Sequence, residues 1–157
     1  MADPLVCITL PGAPRGKGRP RFRIVKPRYK PQFVTVYTDA ETTKYEKALA
    51  NVGRIAMGSS FPLDCGLTVL VEAFVPIPES WSNRKRIAAS AGEIFATTKP
   101  DSDNYSKIAL DSLNKIVWTD DALVVMLQTY KLYSDYPRLR VSVWAFDDVG
   151  PKEPELI

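Results

Sequence analysis

Leu67-Thr68-Val69-Leu70-Val71-Glu72-Ala73-Phe74-Val75 is nearly continuous apolar sequence with a single glutamate, closed off by Gly66 in front and by Pro76-Ile77-Pro78 behind. A run of that length between glycine and proline reads as a strand in the middle of a sheet. On its C-terminal side, Ser80 to Ala91 looks helical. A second helix is expected from Ser102 to about Lys115, where Tyr105, Ile108, Ala109, Ser112, Leu113 and Ile116 mark one apolar face. Leu123–Leu132 and Leu139–Phe146 read as two further strands parted by the turn Ser134-Asp135-Tyr136-Pro137. On its N-terminal side, Asp39 to Met57 forms an amphipathic helix, with Thr38 or Asp39 as its cap and Tyr45, Ala48, Leu49, Val52, Ile55 and Ala56 at helical spacing. Phe22–Val25 and Phe33–Tyr37 have the β-branched and aromatic character of a hairpin, and Leu5–Leu10 is a first strand ended by Pro11-Gly12-Ala13-Pro14.

These elements describe an α+β single domain over residues 1–146, a mixed β-sheet of about five strands packed by two or three helices, with a basic arm at 11–31 and a loose tail at 147–157. The 157 residues leave room for one such domain, and 45% apolar with 25% charged composition is that of a globular chain with a real core. No stretch approaches the ~20 apolar residues of a membrane span. The N-terminus has no secretory layout, so a soluble cytoplasmic protein is expected, with no membrane partner. Cys7 and Cys65 sit in apolar runs and are expected to be buried free thiols.

The chain contains no histidine. That excludes Ser-His-Asp and Cys-His nucleophile activation and most zinc hydrolases, which need an imidazole as base or ligand. Hydrolytic chemistry would have to run on carboxylates, lysine and a hard cation. The net charge of +3 is unevenly spread: Arg15, Lys17, Arg19, Arg21, Arg23, Lys26, Arg28 and Lys30 follow one another with no acid between them, and the remainder of the chain is net negative. Such an arm suits phosphate contacts to DNA, extended by Arg84-Lys85-Arg86; a plain solvated charge run is the alternative. Phe22, Tyr29 and Phe33 interleave with these cations and suit either stacking on unpaired bases or, as is commoner for such aromatics, burial in a core. Trp118 and Trp144 read as core or subunit-interface residues.

Lys99-Pro100-Asp101-Ser102-Asp103-Asn104-Tyr105-Ser106-Lys107 carries the most chemistry per residue. Asp101 and Asp103, two apart near a helix start, are expected to face one point, and Asp103, Lys107 and Asp111 fall at i, i+4 and i+8 on the polar face of the helix. Asp120-Asp121 follows the helix and precedes a strand, so a third carboxylate is expected to return to the same end of the sheet. Carboxylates gathered without a paired arginine repel, and an oxygen-only set favours Mg²⁺, with Mn²⁺ as a substitute, over zinc or copper. The plainer reading makes Asp101, Ser102 or Asp103 a helix cap and Asp120-Asp121 a turn.

The blocks Pro14-Arg15-Gly16-Lys17-Gly18-Arg19-Pro20-Arg21, Lys99-Pro100-Asp101-Ser102-Asp103-Asn104 with Lys107, Asp111-Ser112-Leu113-Asn114 and Trp118-Thr119-Asp120-Asp121 resemble, in order and spacing, the RusA-type Holliday junction resolvases. The likeness runs from about Val6 to Phe146. It implies a RusA-like fold and Mg²⁺-dependent paired nicking of four-way branched DNA by a homodimer with two active sites, with no small-molecule cofactor. By the same resemblance Asp101, Asp103 and Asp121 are metal-binding and catalytic, Lys107 is catalytic, and Asp120, Asp111 and Asn104 are supporting positions. Two positions depart from the family pattern: Leu123, where glutamine is frequent, and Lys115, where glycine is common. A restriction-type metal nuclease is a weaker match, because the lysine stands four residues after the acid on a helix. A non-catalytic DNA-binding module is the alternative from another class.

Overall fold

The computed structural model describes residues 3–146, so the tail expected at 147–157 lies outside the described residues. The elements run in the order β1 (Val6–Pro11), β2 (Arg21–Val25), β3 (Phe33–Tyr37), α1 (Ala40–Met57), β4 (Leu67–Pro76), α2 (Asn83–Ser90), α3 (Ser102–Leu113), a 3₁₀ turn at Asp121–Leu123, β5 (Val124–Ser134) and β6 (Arg138–Ala145). Four strands form one sheet in the order β1-β6-β4-β5, while β2 and β3 pair only with each other. The domain is α+β with a mixed sheet: β6 is antiparallel to β1 and β4, and β5 is parallel to β4.

The apolar run quoted above is β4, and it does lie inside the sheet. Its two faces differ, however. Leu67, Val69, Val71 and Ala73 are fully buried under the helices together with Leu139, Val141 and Val143 of β6 and Ile8 of β1. The alternate residues Leu70, Glu72 and Phe74 are only half-buried, because among the described residues the helices stack on one face. The other face mixes apolar side chains such as Leu70, Tyr130 and Trp144 with paired charges: Glu72 accepts two hydrogen bonds from Arg140, at 2.6 and 2.8 Å, and the Arg138 guanidinium lies 3.7 Å from the Phe74 ring centre. The same one-sidedness corrects the expectation for Cys7. It alternates with buried Val6 and Ile8 on β1, so its thiol is exposed, and Cys65, just before β4, is exposed too.

A parallel pair needs a crossover, and here the connection from β4 to β5 carries α2 and α3. Helix α3 buries Tyr105, Ile108, Ala109, Ser112 and Leu113 against the sheet and α1. Gly53 lets the two helices approach: a Cβ there would stand 2.7 Å from Leu113 Cδ2. Beyond α3, Lys115 adopts φ 66°, the left-handed region that favours glycine. Its backbone N–H donates to Trp118 O at 2.8 Å, and its ammonium caps Thr119 O and Asp120. Among the described residues no helix is long and apolar enough to cross a membrane.

Candidate active site

Helix α3 begins at Ser102 with Asp101 as its N-cap residue, in extended conformation (φ −72°, ψ 157°). Its carboxylate makes no capping hydrogen bond. Among the described residues neither the Asp101 nor the Asp103 side chain is in a hydrogen bond or ion pair, so two carboxylates stand free at the positive end of a helix dipole. The capping alternative therefore does not describe Asp101. It does describe Asp39, which opens α1 by accepting from Thr42 N (3.0 Å) and Thr42 Oγ1 (2.7 Å). The Thr42 hydroxyl, then its backbone N–H, and the Arg15 guanidinium hold the Asp39 carboxyl down at about 2.

Asp101 is carried on a fastened loop. Lys131 of β5 donates from its ammonium to Thr98 O (2.5 Å) and Pro100 O (2.9 Å), and the Ser106 and Thr129 hydroxyls share a hydrogen bond of 2.6 Å. From the other side the start of the basic arm is laid across the same helix end. Lys17 N–H donates to Asn104 O at 2.9 Å, and Gly16 passes so close that a Cβ would meet Pro100 Cβ at 2.7 Å and Asn104 Cβ at 3.0 Å. Gly16→Ala should therefore cost about 1–3 kcal/mol by overpacking, read as a lowered Tm. An unchanged Tm would mean that the arm is not seated there.

The arm divides at Gly18. Arg15 donates to Asp39 (2.8 Å) and to Thr42 Oγ1 (3.0 Å), and Lys17 pairs with Glu46 of α1 and, at 3.0 Å, with Asp111 of α3. Burial acts to lower the Lys17 pKa, but hydrogen bonds and charge from Glu46 and Asp111 together outweigh it, and the value is raised. So two of the eight arm cations are bound to the body. Arg19, Arg21, Arg23, Lys26, Arg28 and Lys30 form no ion pair among the described residues.

Asp111, expected beside Lys107, is instead the partner of Lys17. The Lys107 ammonium makes no hydrogen bond or ion pair among the described residues. An exposed i, i+4 pair gains only about 0.3–0.5 kcal/mol, and the more buried Lys17 reaches Asp111 from the docked arm. Asp120 caps the 3₁₀ turn through Ala122 N (2.9 Å) and pairs with Lys115 (3.2 Å). The Ala122 N–H, then Lys115, lowers its pKa.

Asp121 does not return to the end of the sheet where Asp101 stands. It opens the 3₁₀ turn that leads into β5, whereas Lys131, which touches the Asp101 loop, is seven residues beyond Val124. That is about 23 Å of strand at roughly 3.3 Å per residue, and the twelve residues of α3 between the two acidic ends span about 18 Å. Accordingly, among the described residues no three acidic or thiol side chains come together to enclose a cation. Asp121 is nonetheless held: the indole N–H of fully buried Trp118 donates to its Oδ1 at 2.7 Å, leaving Oδ2 free. Of the two readings for Trp118, core or subunit interface, it is the core that holds it; the sequence carried no signal for its indole N–H or for Lys131.

The chain belongs to the RusA endodeoxyribonuclease family. The family model described as Endodeoxyribonuclease RusA matches residues 11–144, nearly all of the described domain. A Bacillus subtilis (strain 168) protein, described as "Uncharacterized protein YqaN", is similar at 31% identity over 143 residues, covering 86% of this chain and 92% of its own.

Mg²⁺, which nucleases of this family typically use, fits the free pair. It takes one or two carboxylates and keeps waters for phosphate oxygens, and Asp101 and Asp103 are oxygen donors with no competing protein partner.

Proposed function

We propose that this protein is a Mg²⁺-dependent, structure-selective endodeoxyribonuclease that resolves four-way DNA junctions by paired nicks. The observation that supports this best is the free carboxylate pair Asp101/Asp103 on a helix end over which a basic arm is docked. Asp101 and Asp103 would hold the cation. When bound, Mg²⁺ supplies an activated water and charge stabilisation for in-line attack on phosphorus. Lys107, one helical turn beyond Asp103 and free of acid partners, offsets the charge that grows on the phosphate. The Lys131 clamp and the docked arm keep the Asp101 loop from moving when the DNA backbone arrives.

A four-way junction has two equivalent scissile strands, and a two-fold homodimer has two equivalent sites. The dimer has a second use here. Asp121 is too far from Asp101 to share a cation within one chain, so its role as third ligand requires a second copy to present it. Incubation of a four-way junction with the protein and Mg²⁺, against an EDTA control, tests the reading. Symmetric paired nicks support it, nonspecific degradation indicates another nuclease chemistry, and a shifted but intact junction indicates a binding module.

The six unpaired arm cations give a further expectation. Log affinity for junction DNA should fall with log salt at about −0.9 per phosphate contacted, and Arg19→Ala and Arg21→Ala should each reduce the slope by about one. Unchanged slopes would remove the arm from the DNA interface.

A further inference from the structure

The β2–β3 hairpin has an apolar face that nothing in the domain covers. Cross-strand partners share a face, so the register Phe22↔Val36 and Ile24↔Val34 puts four apolar side chains together. They are 71% (Phe22), 60% (Ile24), 62% (Val34) and 58% (Val36) exposed. The opposite face carries Arg21 and Arg23 beside Val25, Phe33, Thr35 and Tyr37, and the connecting loop adds Lys26, Arg28 and Lys30 without an acid. An isolated two-stranded hairpin is marginal in water, and an uncovered apolar face makes it more so.

We propose that this face is a wedge for opened base steps at the centre of branched DNA, while the arginines on the reverse face and the loop cations hold the flanking phosphates. This rests on the junction-directed reading above. Charge selects the occupant: cations without acids around an apolar patch fit a polyanion whose bases are partly unstacked, where inserted Phe or Ile side chains replace lost stacking. Continuous duplex offers phosphates but no open base faces. A second copy fits less well. Five residues of two strands cover about 17 Å by 10 Å, far below the roughly 800 Å² per partner of a stable interface, and face-to-face packing would bring two sets of unpaired cations within about one Debye length.

The test uses the full chain in EDTA and four-way junctions carrying 2-aminopurine either at the branch point or mid-arm. Wild type should raise emission severalfold from the branch-point probe and leave the mid-arm probe unchanged. The Phe22→Ser, Ile24→Ser double variant, and the milder Val36→Ser, should still retard the junction but lose most of that rise. Wild-type binding without a branch-point rise overturns the wedge, and so does an undiminished rise in both variants. Variants that sediment at half the wild-type mass would assign the face to self-association instead. Wild type that nicks junctions with Mg²⁺ yet gives no rise refutes the wedge alone, whereas failure to bind or nick junctions refutes the underlying reading.

Discussion

Mixed in equal amounts and allowed to exchange subunits, the Asp103→Asn and Asp121→Asn proteins, each inactive alone, should recover about a quarter of the wild-type nicking sites. The expectation follows from the distance between the two acidic ends of α3. If each site takes Asp101 and Asp103 from one copy and Asp121 from the other, both homodimers have two broken sites. In the mixed dimer one site collects both substitutions and the other collects neither. Half the dimers are mixed and half their sites intact, hence about a quarter. The recovered activity should be single nicks, since only one strand per junction meets a competent site. Each variant alone should lose at least about a hundredfold in rate, because even an outer partner of a metal ligand is worth about 10–100-fold, while junction binding in EDTA persists. Gel-resolved nicking of an end-labelled junction reads all of this. No recovery on mixing, with subunit exchange verified, would place all three acids of a site in one chain or remove Asp121 from it.

Most of the fold was legible because most of it is local pattern. The unbroken apolar run of β4, the 3.6 period of α1 and α3, and the Pro11-Gly12 and Pro76 terminators set these strands and helices to within a few residues. That Asp101 and Asp103 stand at the head of α3 was legible for a similar reason, since a helix start is a local signal. What local pattern could not carry was which end of the sheet each acid meets. The parallel pairing of β5 with β4 sends α3 back along the sheet, so an acid after the helix lands a helix length away from an acid before it. Composition misled on the arm as well. Eight cations in a row look like one surface, but Arg15 and Lys17 are drawn into the body by Asp39, Glu46 and Asp111, acids 24 to 94 positions distant in sequence. Phe22 and Phe33 have core chemistry but sit on a ribbon that has no core to join. The exposed thiol of Cys7 follows from a sheet whose second face has no helical layer among the described residues.

Lys17→Met should lower Tm by about 4–8 °C at neutral pH, and the difference from wild type should shrink as the solution is made alkaline. Lys17 ties the arm to both helices at once, through Glu46 on α1 and Asp111 on α3. Removing one partner of a fully buried ion pair costs about 3–5 kcal/mol. The Lys17 side chain is 19% exposed and that of Asp111 39%, so water screens part of the loss and about 2 kcal/mol is the better figure, which for a domain of this size is the stated shift in Tm. Methionine keeps the apolar stem, so the deficit reads the charge and not the packing. The pH dependence follows from the raised Lys17 pKa. A lysine whose folded-state value is raised contributes its full stability below the unfolded value of about 10.4 and loses it as pH rises through the folded value. Wild type should therefore lose Tm steeply above that point, while the methionine variant, with nothing to deprotonate there, stays flatter and the two curves converge. Curves that run parallel through that range would show that the ammonium contributes nothing. The docking of the arm across α3 would then rest on Gly16 and on the backbone bond to Asn104.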